Sequence, residues 1–167
     1  MKKKRPARLV ARAAIIAALY IVLTAIASML GLSNGAIQIR FSEALTVLPL
    51  FTSAAVPGLF IGCILSNILS GAVIWDVIFG SLATLIGAIG TRKLRHVLVA
   101  GKPYPALLPP ILSNTIIVPF ILSYAYGLED AIPFMMLTVG IGEVVSCGIL
   151  GSILMNALYP RRNDLFR

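Results

Sequence analysis

The sequence predicts an all-α integral membrane protein with six transmembrane helices, on three observations. Of its 167 residues, 59% are hydrophobic and only 12% are charged, about half the charged share of soluble domains. Its mean hydropathy is +0.97. Its apolar segments are long and uniformly apolar, whereas a membrane barrel has strands of about ten residues with alternating polarity. We therefore expect one membrane domain over residues 1–167, built as a helical bundle.

Six apolar segments are separated by polar or Gly- and Pro-containing loops. We expect helices at residues 9–30, 41–55, 57–73, 75–90, 104–124 and 132–158, with a polar loop at residues 31–38. The second segment is short for a full span of about 20 residues, and Pro49 is expected to kink it. Prolines 109, 110 and 119 are expected to interrupt the fifth. The first is too long for the core of a signal peptide, so we expect it to be retained as a helix.

The basic residues predict the orientation. With the N-terminus in the cytoplasm, they gather in the N-terminal residues 1–8, the loop 91–104 and the tail 159–167, all on one side. The opposite side receives only Arg40. This asymmetry follows the positive-inside rule and predicts a multi-pass protein of the cell (plasma) membrane with both termini cytoplasmic. The net charge of +8 is thereby read as a topology signal, so we expect no nucleic-acid partner.

Small residues at every fourth position indicate close helix contacts. Gly58, Gly62, Ser66 and Ser70 form such a stripe on the third segment, where internal packing is the favoured interpretation. The first segment carries two similar pairs, Ala13/Ala17 and Ala14/Ala18. For these alanines, an interface with another membrane subunit competes with internal packing.

Arg40 and Glu43 form a potential charge pair where the chain re-enters an apolar segment. They are three residues apart, so they share a helix face if the helix has begun by then. One interpretation is a helix start with an interfacial anchor. The other is a functional pair, because charges in membrane segments are costly and usually have a role. The residues alone leave both open.

Other polar side chains fall inside the apolar segments. Glu143 lies near the middle of the sixth, where a carboxyl needs a partner, a cavity or a proton. Asn114 lies at similar depth in the fifth and either satisfies backbone groups freed by the prolines or has a function. Asn67 is typical of an interhelical hydrogen bond. Asp76 is either a helix cap or functional, and Trp75 offers a surface for stacking.

The residue inventory argues against catalysis. No nucleophile–base pair, metal-ligand cluster or phosphate-binding loop can be assembled from it, and no Walker motif is present. Cys63 and Cys147 are expected to be free thiols that pack as small apolar groups. We therefore expect neither an enzyme nor a cofactor or metal. A few buried acids and amides in a small bundle suit the binding of a small polar solute.

The string at residues 40–49, RFSEALTVLP, resembles a hallmark of the queuosine-precursor family of S components. These are the substrate-capturing subunits of energy-coupling-factor (ECF) transporters. Residues 57–63 with Asn67, residues 75–85 and residues 140–143 are similar to further blocks of that family. The similarity runs in order over nearly the whole chain.

The resemblance implies a six-helix fold that captures its solute from outside. It also implies docking to a coupling transmembrane T subunit carried by two ATPase subunits, with the S component toppling in the lipid bilayer during uptake. The docking surface would correspond to Ala13, Ala14, Ala17 and Ala18. The expected solute is a 7-deazaguanine, namely preQ0, preQ1 or queuine.

The resemblance also suggests roles for the polar residues. Glu143 would accept the paired N–H groups of the guanine-like edge, and Asn114 would add a donor and an acceptor. Arg40 and Glu43 would shape the entrance.

Two roles have alternative residues. Either Glu43 or Asp76 would be the counter-ion of the preQ1 ammonium. Either Trp75 or Phe41 would stack on the flat ring.

Three alternatives stay open at this level. The protein could be an S component for another vitamin or nucleobase. It could be a self-contained small-solute membrane transporter or channel. It could also be a membrane assembly protein that uses only its small-residue faces.

Overall fold

The computed structural model describes residues 4–32 and 37–165, with side chains from residue 6 onward. The expected loop at residues 31–38 therefore lies partly outside the described residues. Within these ranges the chain is helical and contains no β-strand. The longer helices are α1 (Lys4–Met29), a 3₁₀ helix (Phe41–Leu50), α2 (Ala55–Leu69), α3 (Ile74–Leu94), α4 (Leu108–Tyr124), α5 (Ile132–Glu143) and α6 (Gly151–Leu158). Shorter helical pieces are Tyr104–Leu107 before α4, a π-helix (Val144–Leu150) between α5 and α6, Tyr159–Arg161, and α7 (Arg162–Leu165).

Four helical stretches are long and apolar enough to cross a bilayer. They are Pro6–Met29, Ile74–Leu94, Tyr104–Tyr124 and Ile132–Leu165, and the shorter apolar helices are Phe41–Leu50 and Ala55–Leu69. The prediction of an all-α membrane protein with six helical segments is confirmed. The shorter two cannot span alone. Ten residues of 3₁₀ helix rise only about 20 Å and fifteen residues of α-helix about 22 Å, against a hydrocarbon core of about 30 Å.

The second segment differs from the expected kinked α-helix, because it is a 3₁₀ helix of ten residues. Thr46 donates its hydroxyl to the carbonyl oxygen of Glu43 at 2.6 Å, which supplies that carbonyl with a side-chain donor. Pro49 has no N–H to continue an α-helical ladder. Runs of 3₁₀ helix beyond three or four residues are uncommon, so this one depends on the elements around it.

The prolines of the fifth segment initiate a helix instead of interrupting one. Pro109 and Pro110 occupy the first turn of α4, where the missing N–H groups would have had no intrahelical partner. Pro119 lies within α4 without ending it. The third segment also starts earlier than expected, at Ala55, and ends at Leu69.

The bundle is assembled around the 3₁₀ helix. Sequence neighbours pack in series, α1 on α2, α2 on α3, α3 on α4 and α4 on α5. The 3₁₀ helix contacts α1, α2, α3 and α6, and eight of its ten residues are buried. The element that carries Glu43 is therefore the centre of the fold.

The small-residue stripe of α2 packs against α1. A Cβ at Gly58 would lie 2.8 Å from the carbonyl oxygen of Ala13, and one at Gly62 would lie 3.0 Å from the Cα of Ala17. Backbones this close require residues without side-chain bulk. The internal-packing interpretation of Gly58 and Gly62 is correct.

The C-terminal end of the 3₁₀ helix is held by α3. The guanidinium of Arg92 donates to the carbonyl oxygen of Pro49 at 2.9 Å and approaches that of Leu50 at 3.5 Å. These carbonyls are otherwise the unsatisfied end of a helix. Arg92 thus fixes the end opposite to Glu43.

Candidate functional site

A small, largely enclosed cavity collects polar side chains from four parts of the fold. Its volume is about 20 Å³, enough for about one water molecule. The lining residues are Gln38, Arg40, Glu43, Gly80, Thr84, Asn114, Val118, Val139 and Glu143. Ligand pockets usually exceed about 300 Å³, so these side chains must separate to admit a heterocycle. Four predicted site residues, Arg40, Glu43, Asn114 and Glu143, meet here.

Glu43 is 2% exposed, and each of its carboxyl oxygens has a hydrogen-bond donor. The hydroxyl of Tyr20, from α1, donates to Oε1. The amide of Asn114, from α4, donates to Oε2 at 3.5 Å. A buried carboxyl needs such donors, because an unpaired charge in a membrane segment is costly.

Glu143 ends α5 at the point where the helix widens into the π-helix. The thiol of Cys147 donates to Glu143 Oε2 at 3.2 Å and also lies 3.5 Å from the backbone carbonyl of Glu43. Single-turn π-segments are frequent at functional sites. Here the wide turn brings Glu143 and Cys147 onto the 3₁₀ helix.

Arg40 precedes the 3₁₀ helix and does not pair with Glu43 on one helix face. Its guanidinium donates to the side-chain oxygen of Gln38 at 3.2 Å, and its backbone N–H donates to the hydroxyl of Ser146 at 3.1 Å. It nevertheless lines the cavity together with both glutamates. In place of the expected pair, one guanidinium and two carboxyls line the same cavity.

Asp76 and Asn67 lie together near this cavity, although neither is among its lining residues. The Asn67 amide donates to the backbone carbonyl of Asp76 at 3.2 Å, and the Tyr126 hydroxyl donates to Asp76 Oδ2 at 2.9 Å. Burial and the neighbouring charge of Asp76 raise the pKa of Tyr126 above its ordinary value. Gly80 connects this pair to the cavity, because it lines the cavity and packs against both side chains.

The two aromatic candidates are not among the residues that line the cavity. Trp75 is 55% exposed and stacks on Phe79 with ring centroids 6.1 Å apart, in an apolar groove of about 350 Å³. Phe41 is half-buried at the start of the 3₁₀ helix. Stacking on a ligand by either ring stays a prediction.

The four alanines of α1 divide between two faces. Ala13 and Ala17 pack against Gly58 and Gly62 of α2, whereas Ala14 and Ala18 are exposed. An apolar groove of about 420 Å³ runs along this region and is lined in part by Ala13, Ala14 and Ala17. A partner interface here stays a prediction, now centred on the exposed pair.

The structure groups three potential metal ligands that sequence spacing did not reveal. Donor atoms of Glu43, Glu143 and Cys147 all lie within 4.8 Å of one another, and all three residues are buried. The thiol, however, acts as a hydrogen-bond donor to Glu143, and Tyr20 and Asn114 serve Glu43. Hydrogen bonds among the described residues therefore account for the grouping.

Sequence reasoning missed Tyr20, Gln38, Thr84 and Cys147. Tyr20 had a usable signal, because Tyr20 and Thr24 are polar residues four apart in an otherwise apolar helix and so share a face. Cys147 is four residues after Glu143, which places it on the same helix face. Gln38 and Thr84 carried no comparable signal.

The fold and the cavity define a class, namely a multi-pass helical membrane protein with a buried polar site. Comparison with known proteins then assigns the family. The family model described as "QueT transporter" matches residues 10–160, so the chain belongs to the QueT transporter family. This is a family of transporters, which confirms the expectation that the protein is not an enzyme. The match also confirms the resemblance to the queuosine-precursor family.

A curated relative supports the same family. The queuosine precursor transporter QueT of Lactococcus lactis subsp. cremoris (strain MG1363) is 42% identical over 73 residues. That alignment covers 44% of this chain and 43% of the relative, so it spans less than half of either protein. None of the solved structures matches the chain.

Proposed function

We propose that this protein is the substrate-binding S component of an ECF-type transporter and captures a 7-deazaguanine queuosine precursor for uptake. The observation that carries the proposal is the convergence of Glu43, Glu143, Asn114 and Arg40 on one buried cavity in a member of the QueT transporter family. The name of the Lactococcus relative supports the solute class.

The donor and acceptor chemistry of the cavity suits a guanine-like edge. Such an edge presents adjacent N–H groups, which a carboxylate accepts in bidentate fashion. Glu143 is the best candidate, because its Oε2 has a thiol as donor, and a thiol is a weak donor that a ligand can outcompete. Asn114 and Arg40 supply donors for the carbonyl oxygen of the same edge.

The route to the cavity requires a local rearrangement. The enclosed volume of about 20 Å³ is far below the size of a heterocycle. The 3₁₀ helix contributes Glu43 to the cavity, and the π-helix begins directly after the lining residue Glu143. Neither element has the regular α-helical ladder that resists a change of pitch. We infer that displacement between these two elements opens the site.

Two features support coupling to other subunits. One is the lack of a nucleotide-binding motif in the sequence, and the other is an exposed small-residue face of α1. The sequence contains no Walker motif, so ATP-driven uptake needs separate ATPases. The exposed Ala14 and Ala18 allow close approach by a helix of a coupling T subunit. Cytoplasmic termini, as the basic residues predict, place the N-terminal end of α1 on the ATPase side.

Direct binding tests the solute class. The purified protein should bind one or more of preQ1, preQ0 and queuine in isothermal titration calorimetry. Guanine and a panel of B vitamins should bind at least about tenfold more weakly, because they lack part of the matching groups. Tight binding of a B vitamin without binding of any deazaguanine would make the protein an S component for another solute.

Uptake tests the coupling. In proteoliposomes, accumulation of the bound deazaguanine should require a coupling subunit and two ATPases. It should also require ATP on the side of the membrane that carries the ATPases. Accumulation by this protein alone would identify it as a self-contained transporter. Ala14→Leu with Ala18→Leu should abolish uptake and leave solute binding intact, whereas Ala157→Leu, at an exposed alanine of α6, is the control.

A further inference from the structure

Asp76 is a third buried carboxyl beside the cavity, and its position is fixed from two sides. It lies in the first turn of α3 and is 8% exposed. The Tyr126 hydroxyl, from the segment after α4, donates to Oδ2 at 2.9 Å. The Asn67 amide holds the backbone carbonyl of the same residue at 3.2 Å. The segment after α4 thus holds the carboxylate itself, and α2 holds the backbone of the same residue.

The second carboxylate oxygen lies over Gly80, on the way to the cavity. A Cβ at Gly80 would be 2.7 Å from Asp76 Oδ1 and 3.4 Å from the Asn67 amide nitrogen. Gly80 itself lines the cavity. The missing side chain at this position leaves room for Oδ1 beside a residue that lines the cavity. Of the two Asp76 carboxylate oxygens, only Oδ2 receives a hydrogen bond from the residues that the structure describes.

The charge balance around the cavity favours a cation. Arg40 is a single guanidinium opposite the carboxyls of Glu43 and Glu143, and Asp76 adds a third acid at the edge. An excess of carboxyls in a membrane segment needs compensation by protons or by a bound positive charge. A solute with an ammonium arm supplies that charge.

Asp76 is better placed than Glu43 to bind this ammonium. Tyr20 and Asn114 already occupy the two carboxyl oxygens of Glu43. Asp76 keeps Oδ1 available, since Tyr126 binds Oδ2. A charge-assisted hydrogen bond to a fixed, available oxygen contributes more affinity than one that must displace existing donors.

We propose that Asp76, positioned by Tyr126, is the subsite for a cationic amine arm of the solute and selects amine-bearing 7-deazaguanines over neutral ones. The proposal rests on the proposed function, in which Glu143, Glu43 and Asn114 read the heterocycle. Gly80 provides the opening between the two subsites. Among the expected solutes, preQ1 carries an aminomethyl group, whereas preQ0 carries an uncharged nitrile.

The test compares these two compounds on one variant. Asp76→Asn keeps the shape of the side chain and an oxygen for Tyr126 but removes the charge. We expect its affinity for preQ1, measured by calorimetry, to fall about 10- to 100-fold. Its affinity for preQ0 should stay within about threefold of the parent. An equal loss for both compounds, or no loss for preQ1, would overturn the proposal.

Two further variants keep the proposal testable if Asp76→Asn fails to fold. Tyr126→Phe removes only the hydroxyl that holds Oδ2, and it should lower preQ1 affinity about three- to tenfold without affecting preQ0. An unchanged ratio of the two affinities in this variant would contradict the positioning role. Asp130→Asn, an exposed acid in the same segment as Tyr126, is the matched control and should change neither affinity.

The outcome separates this proposal from the proposed function. If the parent protein binds neither preQ1 nor preQ0 but binds another solute, the assigned solute class is wrong. If the parent binds preQ0 at least as tightly as preQ1, the solute class stands and the cation subsite does not exist.

Discussion

The two acidic regions of the molecule differ in how their carboxyls are partnered. Glu43 and Glu143 lie at the centre of the bundle, where hydroxyl, amide and thiol groups from three helical segments donate to them. Asp76 lies at the start of α3, where one oxygen is held by Tyr126 and the other stays open over Gly80. The difference supports the proposed division of tasks. The central pair has the chemistry to read a heterocycle edge, and Asp76 has the chemistry to bind a cation.

Gly142→Ala should have the largest effect on the stability of the central region and on its binding of solute. A Cβ at Gly142 would collide with the carbonyl oxygen of Gln38, a backbone atom that cannot move aside without displacing Arg40 and the start of the 3₁₀ helix. We expect a loss of about 3 kcal/mol or more in stability, at the upper end for overpacking, with loss of solute binding. Thermal unfolding in detergent and calorimetry measure both.

Gly148→Ala is the matched control for that substitution. A Cβ at Gly148 meets only side-chain atoms, at 3.7 and 3.8 Å, which is ordinary van der Waals contact. This variant should fold and bind like the parent. Equal damage from both substitutions would mean that the Gln38 contact is not special.

Tyr20→Phe should sharpen the comparison between Glu43 and Asp76. It removes the hydroxyl that donates to Glu43 and leaves the ring in the core. We expect about a 10- to 100-fold lower affinity for preQ1 and preQ0 alike, since a hydrogen bond to a charged group contributes about 1.5–3 kcal/mol. Tyr124→Phe, at a ring that is 81% exposed, is the control. A selective loss of preQ1 binding would assign the cation to Glu43 and not to Asp76.

Arg92→Met should have the smallest effect. It removes the donor to the carbonyls of Pro49 and Leu50 at the end of the 3₁₀ helix remote from Glu43. We expect about 1 kcal/mol lower stability and at most about a threefold loss of affinity for both compounds. Lys93→Met, at the exposed neighbouring cation, should leave both unchanged. A loss larger than that of Tyr20→Phe would show that the far end of the 3₁₀ helix controls the site.

The sequence predicted the number of helical segments, because long apolar runs identify membrane helices. Isolated charges and amides within them indicated Glu143, Asn114, Glu43 and Arg40 as candidate site residues. The expected division into an entrance pair, Arg40 and Glu43, and a deeper pair was not predicted correctly, because Glu43 is 2% exposed and all four line one cavity. The inner-facing stripe of Gly58 and Gly62, by contrast, was readable from spacing.

Other features could not be read because tertiary contacts decide them. The 3₁₀ form of the segment 41–50 depends on its packing against α1, α2, α3 and α6, most of which are distant in the chain. The separation of Trp75 from the cavity depends on the rotation of α3, which its packing against α2 and α4 sets. The role of Gly80 is visible only once Asp76 and Asn67 lie against it.

The most direct test of the central claim is the affinity of Glu143→Gln for preQ1 and preQ0 by calorimetry, with Glu129→Gln in the exposed segment after α4 as control. Glutamine keeps the size of the side chain but cannot accept two N–H groups as a carboxylate does. We predict that both affinities fall about 10- to 100-fold while the control matches the parent. Unchanged binding of both compounds by Glu143→Gln would contradict the account.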